Sequence, residues 1–104
     1  MSSVSSSNIL PPRPAIDLPL GQLLSTPGAI DAMAKAGQDP ALLLNRHRTG
    51  DWGDLGAEDR ASNDFAVDHG ERILSVFTLS DGTRLWIITE RDRSATTILL
   101  PDEY

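Results

Sequence analysis

The stretch Arg72-Ile73-Leu74-Ser75-Val76-Phe77-Thr78-Leu79-Ser80-Asp81-Gly82-Thr83-Arg84-Leu85-Trp86-Ile87-Ile88-Thr89 decides the fold. Two runs rich in β-branched and aromatic residues flank Ser80-Asp81-Gly82-Thr83. Asp-Gly supplies positive φ readily, so the four residues predict a hairpin turn between strands at 72–79 and 85–89. A longer polar turn, Arg91-Asp92-Arg93-Ser94, leads to a third strand over 95–100, which Pro101 stops. The expectation is a three-stranded antiparallel meander. Its strands do not alternate cleanly between apolar and polar. Ile73 and Phe77 oppose Leu74 and Val76; Leu85 and Ile87 oppose Trp86 and Ile88; Ile98 and Leu100 oppose Leu99. An antiparallel sheet with one wet face reads apolar, polar, apolar, so this one predicts cover on both faces. Helices supply one cover. The other is the N-terminal arm, a further turn of chain, or another molecule, which raises a protein partner or homodimer as an expectation.

Upstream, the signals are helical. Thr26-Pro27 is an N-cap with proline at the first helical position, and Gly37 closes the run after Ile30, Met33 and Ala34. Asp39-Pro40 repeats the start, with Leu43, Leu44 and His47 at helical spacing and Gly50 at the end. Gly50-Asp51-Trp52-Gly53-Asp54-Leu55-Gly56 reads as a loop anchored by Trp52 and Leu55. A third helix is predicted over 57–69, stopped by Gly70. Its stripe Ala61, Phe65, His69 predicts Phe65 in the core, together with Trp52, Leu55, Phe77 and Trp86. The order of two or three short helices followed by the meander gives an α+β fold.

Before the helices the chain changes character. Ser2 to Ser7 is mostly serine, and Pro11, Pro12, Pro14 and Pro19 follow. This composition predicts a flexible tail over 1–19 and a single domain over 20–104. Ile9, Leu10, Ile16, Leu18 and Leu20 are the residues able to dock on that domain. A length of 104 residues fits one domain. The absence of cysteine excludes a disulfide framework, a thiolate metal site and a cysteine nucleophile. Residues 1–8 lack the basic and apolar regions of a signal peptide, and no apolar run has membrane-spanning length. A cytoplasmic protein with no membrane association is therefore expected.

The formal net charge of −6 is localised. Asp51, Asp54, Glu58, Asp59, Asp64, Asp68 and Glu71 fall in one segment with only Arg60 among them, while the rest of the chain is balanced. These seven carboxylates form the candidate acidic interaction surface. They disfavour direct nucleic-acid binding there. Asp64, Asp68 and Glu71 follow a helical i, i+4, i+7 pattern, which suggests imitation of phosphate rows in the groove of a nuclease; the plainer reading is a solvated helix with acids at its N-terminal turn.

Other constellations carry less chemistry. His47, Asp51, Asp54 and His69 match no compact metal-ligand spacing, so neither metal nor cofactor is expected. Arg46, His47 and Arg48 with Arg91 and Arg93 make a small basic group, readable as phosphate contacts or as complements to a helix C-terminus. His47, His69, Glu90, Ser94, Thr96 and Thr97 could be assembled into a ribonuclease-like set by analogy of architecture alone. No nucleophile-elbow, phosphate-loop or dinucleotide motif is present, so no catalytic residue is assigned.

The strings His47-Arg48-Thr49-Gly50-Asp51-Trp52-Gly53-Asp54-Leu55, Asp81-Gly82-Thr83-Arg84-Leu85-Trp86-Ile87-Ile88-Thr89-Glu90 and Asp92-Arg93-Ser94-Ala95-Thr96-Thr97-Ile98-Leu99-Leu100-Pro101-Asp102-Glu103-Tyr104 resemble a family of short uncharacterised bacterial proteins carried on plasmids and integrative elements. The resemblance spans roughly residues 20–104 and implies an accessory role on mobile DNA, with no activity or site residue attached. The resulting expectation is a non-enzymatic, protein-binding accessory protein. An acidic, DNA-mimicking inhibitor of a host restriction or CRISPR nuclease is the first alternative, and a small ribonuclease-like toxin the second.

Overall fold

The computed structural model describes residues 15–104. Over these residues the fold is α+β, with three α-helices and a four-stranded mixed sheet. The elements in order are β1 (Gln22–Ser25), α1 (Pro27–Ala36), α2 (Pro40–Arg48), α3 (Ala57–His69), β2 (Ile73–Thr78), β3 (Arg84–Thr89), β4 (Ala95–Leu99) and a 3-10 turn, Pro101–Glu103. The sheet order is β1-β4-β3-β2. The predicted meander is there: β2 and β3 pair antiparallel with Val76 opposite Trp86, and β3 and β4 with Ile87 opposite Ile98. The expectation of three antiparallel strands alone needs correction. β1 adds a fourth, parallel to β4, with Leu23 beside Thr96 and Ser25 beside Ile98.

The helix limits follow the capping chemistry. The Thr26 side chain accepts the Ala29 N–H, the Asp39 side chain accepts that of Ala41, and Gly37 and Gly70 close α1 and α3 in the left-handed conformation. α1 has no acid in its first turn. Glu103 supplies one from the far end of the chain, accepting from the Thr26 hydroxyl at 2.5 Å and from the Leu100 N–H at 2.8 Å.

The register puts Ile73, Ser75, Phe77, Leu85, Ile87, Thr89, Thr96 and Ile98 on one face. α1 and α2 cover it, packing Ala29, Met33 and Leu43 against Phe77, Leu85, Ile87 and Ile98. A second cluster joins Leu18, Trp52 and Ala66 of α3 to Ile73, with Ile16 and Leu20 beside it. Residues 1–14, including Ile9 and Leu10, lie outside the described residues. Within 15–19, Leu18 is buried and donates its N–H to the Arg48 carbonyl. The opposite face carries Val76, Ile88 and Leu99, only 5–6% exposed, flanked by half-buried Leu74, Trp86 and Thr97. Tyr104 stands edge-on to Trp86 at 5.5 Å. Neither side of the sheet centre is open to water, as the two-sided apolar pattern predicts.

The outer edge of β2 is closed. Asn63 of α3 donates from Nδ2 to the Leu74 carbonyl at 2.7 Å, and its Oδ1 faces the Leu74 N–H at 3.4 Å. Val76 exchanges backbone bonds with the 52–54 loop, donating to the Trp52 carbonyl and accepting from Asp54 N–H. A side-chain amide and a loop thus stand where a further strand would pair. Asn63→Ala leaves the Leu74 peptide without its partner and is expected to cost about 1–3 kcal/mol. Urea denaturation checks this; an unchanged midpoint would show that water replaces the amide at no cost.

One expectation from helical spacing is corrected. Phe65 is 57% exposed and lies outside the core, with its ring stacked on His69 at 3.7 Å. α3 turns Asn63 and Ala66 inward because the first satisfies the edge of β2 and the second permits close approach. The 61-65-69 stripe is thereby rotated outward.

Candidate functional site

Six of the seven predicted carboxylates fall on the 51–54 loop and on α3, and Glu71 follows the Gly70 cap; most have local work. Asp51 accepts from Arg46 Nε at 2.7 Å and from the Gly53 N–H at 3.1 Å. The Arg46 hydrogen bond holds its carboxyl below the usual carboxylate range, against the opposing effect of partial burial. Asp54 accepts from the Thr78 hydroxyl at 2.7 Å, and Asp64 from the Trp52 indole N–H at 2.9 Å. Glu71 pairs with Arg91 at 3.2 Å. Glu58, Asp59 and Asp68 are exposed on α3. The set is divided between carboxylates with side-chain or backbone partners and exposed ones on α3.

The basic residues are similarly engaged. Arg46 also stacks over Phe77 at 4.5 Å, and Arg48 bonds to Asp17 and Asn45. Arg93, the one described non-glycine residue with positive φ, gives its guanidinium to the carbonyls of Ala66, Glu71 and Glu90. It ties the β3–β4 turn to the last turn of α3.

Of the ribonuclease-like set, the structure brings His47 and Thr96 into one network, joined by Ser75 and Thr89, and all four are 0% exposed. His47 Nδ1 lies 2.6 Å from Ser75 Oγ and Nε2 lies 2.8 Å from Thr89 Oγ1; Thr89 Oγ1 lies 2.7 Å from Thr96 Oγ1, and Thr96 donates to the Leu20 carbonyl. That carbonyl only accepts, which fixes each direction as far as the imidazole, and a neutral ring that donates from Nε2 must accept at Nδ1. Thr96 gives the carbonyl a proton, Thr89 donates to Thr96, His47 donates from Nε2 to Thr89, and Ser75 donates to Nδ1. Burial, with a smaller contribution from the Arg93 charge, lowers the His47 pKa to about 4. The ring is neutral, fully bonded and sealed from solvent, so the network pins α2, three strands and the Leu20 backbone together and offers no reacting atom to a substrate. His69 stands apart on α3, with Nδ1 donating to the Phe65 carbonyl at 2.8 Å. Among the described residues no group of three or more His, Cys, Asp or Glu is placed to hold a metal ion, and no helix is long and apolar enough to cross a membrane.

The feature that remains is the β1 edge. Gln22 N–H donates to the Ser94 carbonyl and Thr26 N–H to the Ile98 carbonyl. The alternation of a parallel ladder therefore turns the backbone groups of Leu23 and Ser25 outward, away from β4. Leu23 is 55% and Leu24 43% exposed. Next to the strand lies an apolar groove of about 260 Å³ lined by Ser25, Ile30, Met33, Ala34, Gln38 and Pro40. This is below the roughly 300–1,000 Å³ of small-molecule sites and suits a protein side chain. From Leu20 to Ile30 the sequence holds no charged residue, and no proline or lysine blunts the four residues of the strand. Sequence reading left this stretch without an element; its uncharged run was the available signal. The chain matches no protein-family model, no curated protein and no solved structure.

Proposed function

We propose that this chain is a non-catalytic protein-interaction module that takes up an extended segment of a protein partner along β1, in the accessory role that the resemblance to plasmid-borne proteins implies. The carrying observation is the asymmetry of the sheet. One edge is closed by Asn63 and the 52–54 loop, while the other presents outward backbone groups, two exposed leucines and an adjoining groove. Strand addition uses such an edge, with main-chain bonds giving affinity and a pocket beside the edge giving specificity. The engagement of the histidines, of most arginines and of four of the seven carboxylates supports a binding role over a catalytic one, and gives imitation of DNA fewer open charges to work with.

A photo-crosslinking residue placed at Leu23, in the cells that make the protein, tests this against the same residue at Asp68 on α3. The expected result is a discrete protein adduct specific to Leu23. It should disappear with Leu24→Lys, which adds charge to the edge at an exposed position. Equal adducts at both sites, or none at Leu23, would remove the β1 edge from consideration.

A further inference from the structure

We infer that the segment taken up by β1 is β1 of a second copy, forming a two-fold, edge-to-edge dimer with a continuous eight-stranded sheet. The inference rests on reading β1 as the docking edge and is carried by its register.

The outward backbone groups belong to Leu23 and Ser25. In an antiparallel pair, the residues that exchange both hydrogen bonds must sit opposite one another. A two-fold axis at Leu24 satisfies this: Leu23 of each copy faces Ser25 of the other, giving two exchanging pairs, and Leu24 faces Leu24 in the closer, non-hydrogen-bonded pairing. Leu24 lies on the sheet face away from α1 and α2, so its exposed side chain meets its symmetry equivalent. Leu23 and Ser25 share the helix-covered face. Ser25 lines the groove, so Leu23 of one copy arrives beside the groove of the other, next to Ile30 and Met33. One strand thus carries both the knob and the hole, the self-complementarity an isologous contact requires.

The charge distribution agrees. No charged residue occurs between Leu20 and Ile30, so the paired strands themselves bring no like charges together. Most of the acids that give the chain its net charge of −6 sit on α3 and the 51–54 loop, which pack against β2 at the other end of the sheet order β1-β4-β3-β2. Pairing at β1 sets the two acidic helices as far apart as the sheet allows. Pairing at β2 would bring them together.

The absence of cysteine makes the test direct. Leu24→Cys places two thiols in the non-hydrogen-bonded pairing, within the range a disulfide spans, while Thr78→Cys on the exposed end of β2 is the control. Sedimentation of the purified wild-type chain is expected to show a concentration-dependent dimer. Leu24→Cys should cross-link under mild oxidation many times faster than Thr78→Cys. Leu23→Lys, at a position exposed in the monomer, should raise the dimer dissociation constant by at least about tenfold with an unchanged circular dichroism spectrum. A wild-type monomer at high micromolar concentration, or a dimer whose Leu24→Cys form links no faster than the control, overturns the inference. If a monomer nevertheless gives a Leu23-specific adduct with a different protein, the docking edge stands and the second copy does not. If it gives none, both readings fall.

Discussion

Replacing His47 with alanine is expected to destabilise the fold by about 4 kcal/mol or more, combining the cavity left by a large buried side chain with the orphaning of two buried hydroxyls. That would be a large part of the roughly 5–15 kcal/mol available to a domain of this size. Ser75 loses its acceptor and Thr89 its donor, and both are fully buried. The wild-type chain should show the same dependence through pH. The folded ring has a pKa of about 4 against 6.5 for an unperturbed histidine. Below pH 6.5 the unfolded chain takes up a proton that the folded one refuses. Stability from this group is therefore full above pH 6.5 and falls progressively down to pH 4, by about 3 kcal/mol in all. The carboxylates held low by hydrogen bonds, Asp51, Asp81, Asp92 and Glu103, act in the same direction but in a lower window, as pH falls below their ordinary values near 4. Urea midpoints at pH 7, 5.5 and 4.5 separate the two. A flat profile between 7 and 4.5 would show that the ring is protonated and accommodated in the fold.

Gly53→Ala is the second large effect, expected at about 2–5 kcal/mol from crowding together with the left-handed backbone. Gly53 has φ 75°, and a Cβ there would stand 2.0 Å from the Val76 carbonyl oxygen and 2.8 Å from the Phe77 ring. The carbonyl cannot move aside without losing the 2.7 Å bond it accepts from Asp54 N–H. Phe77 cannot turn freely because Arg46 lies over it. Gly70→Ala isolates the backbone contribution, since φ is 64° there and nothing lies within 4 Å. It should cost only about 1–2 kcal/mol. Thermal or urea unfolding of the pair checks this, and equal losses would mean that the 52–54 loop gives way without resistance.

The same loop shows how differently residues can be read from sequence. Trp52 was legible as an anchor, and it is 3% exposed, with its indole N–H on Asp64. Asp51 and Asp54 were legible as acids but not as partners of Arg46 and Thr78, because charge is visible in a sequence and its neutralisation across the fold is not. Asn63 carried no signal. A polar residue within an acidic helix becomes the cap of a sheet edge only because β2 ends up beside it. The β1 edge offered only its lack of charge.

The sequence alone determined the helix limits, the Asp81-Gly82 hairpin and the double-sided apolar strands. Each is settled by bonds or steric preferences within a few residues: Thr26 capping Ala29, Asp39 capping Ala41, Gly37 and Gly70 taking φ that other residues resist. Tertiary structure decided that Gln22–Ser25 is a strand, that Phe65 faces water and that His47 lies at the centre of a sealed polar chain. These depend on partners distant along the chain, Ala95–Leu99 for β1 and Ser75, Thr89 and Thr96 for His47. A short strand or a buried imidazole acquires its free energy from the groups it meets, and those groups are brought to it only by the completed fold.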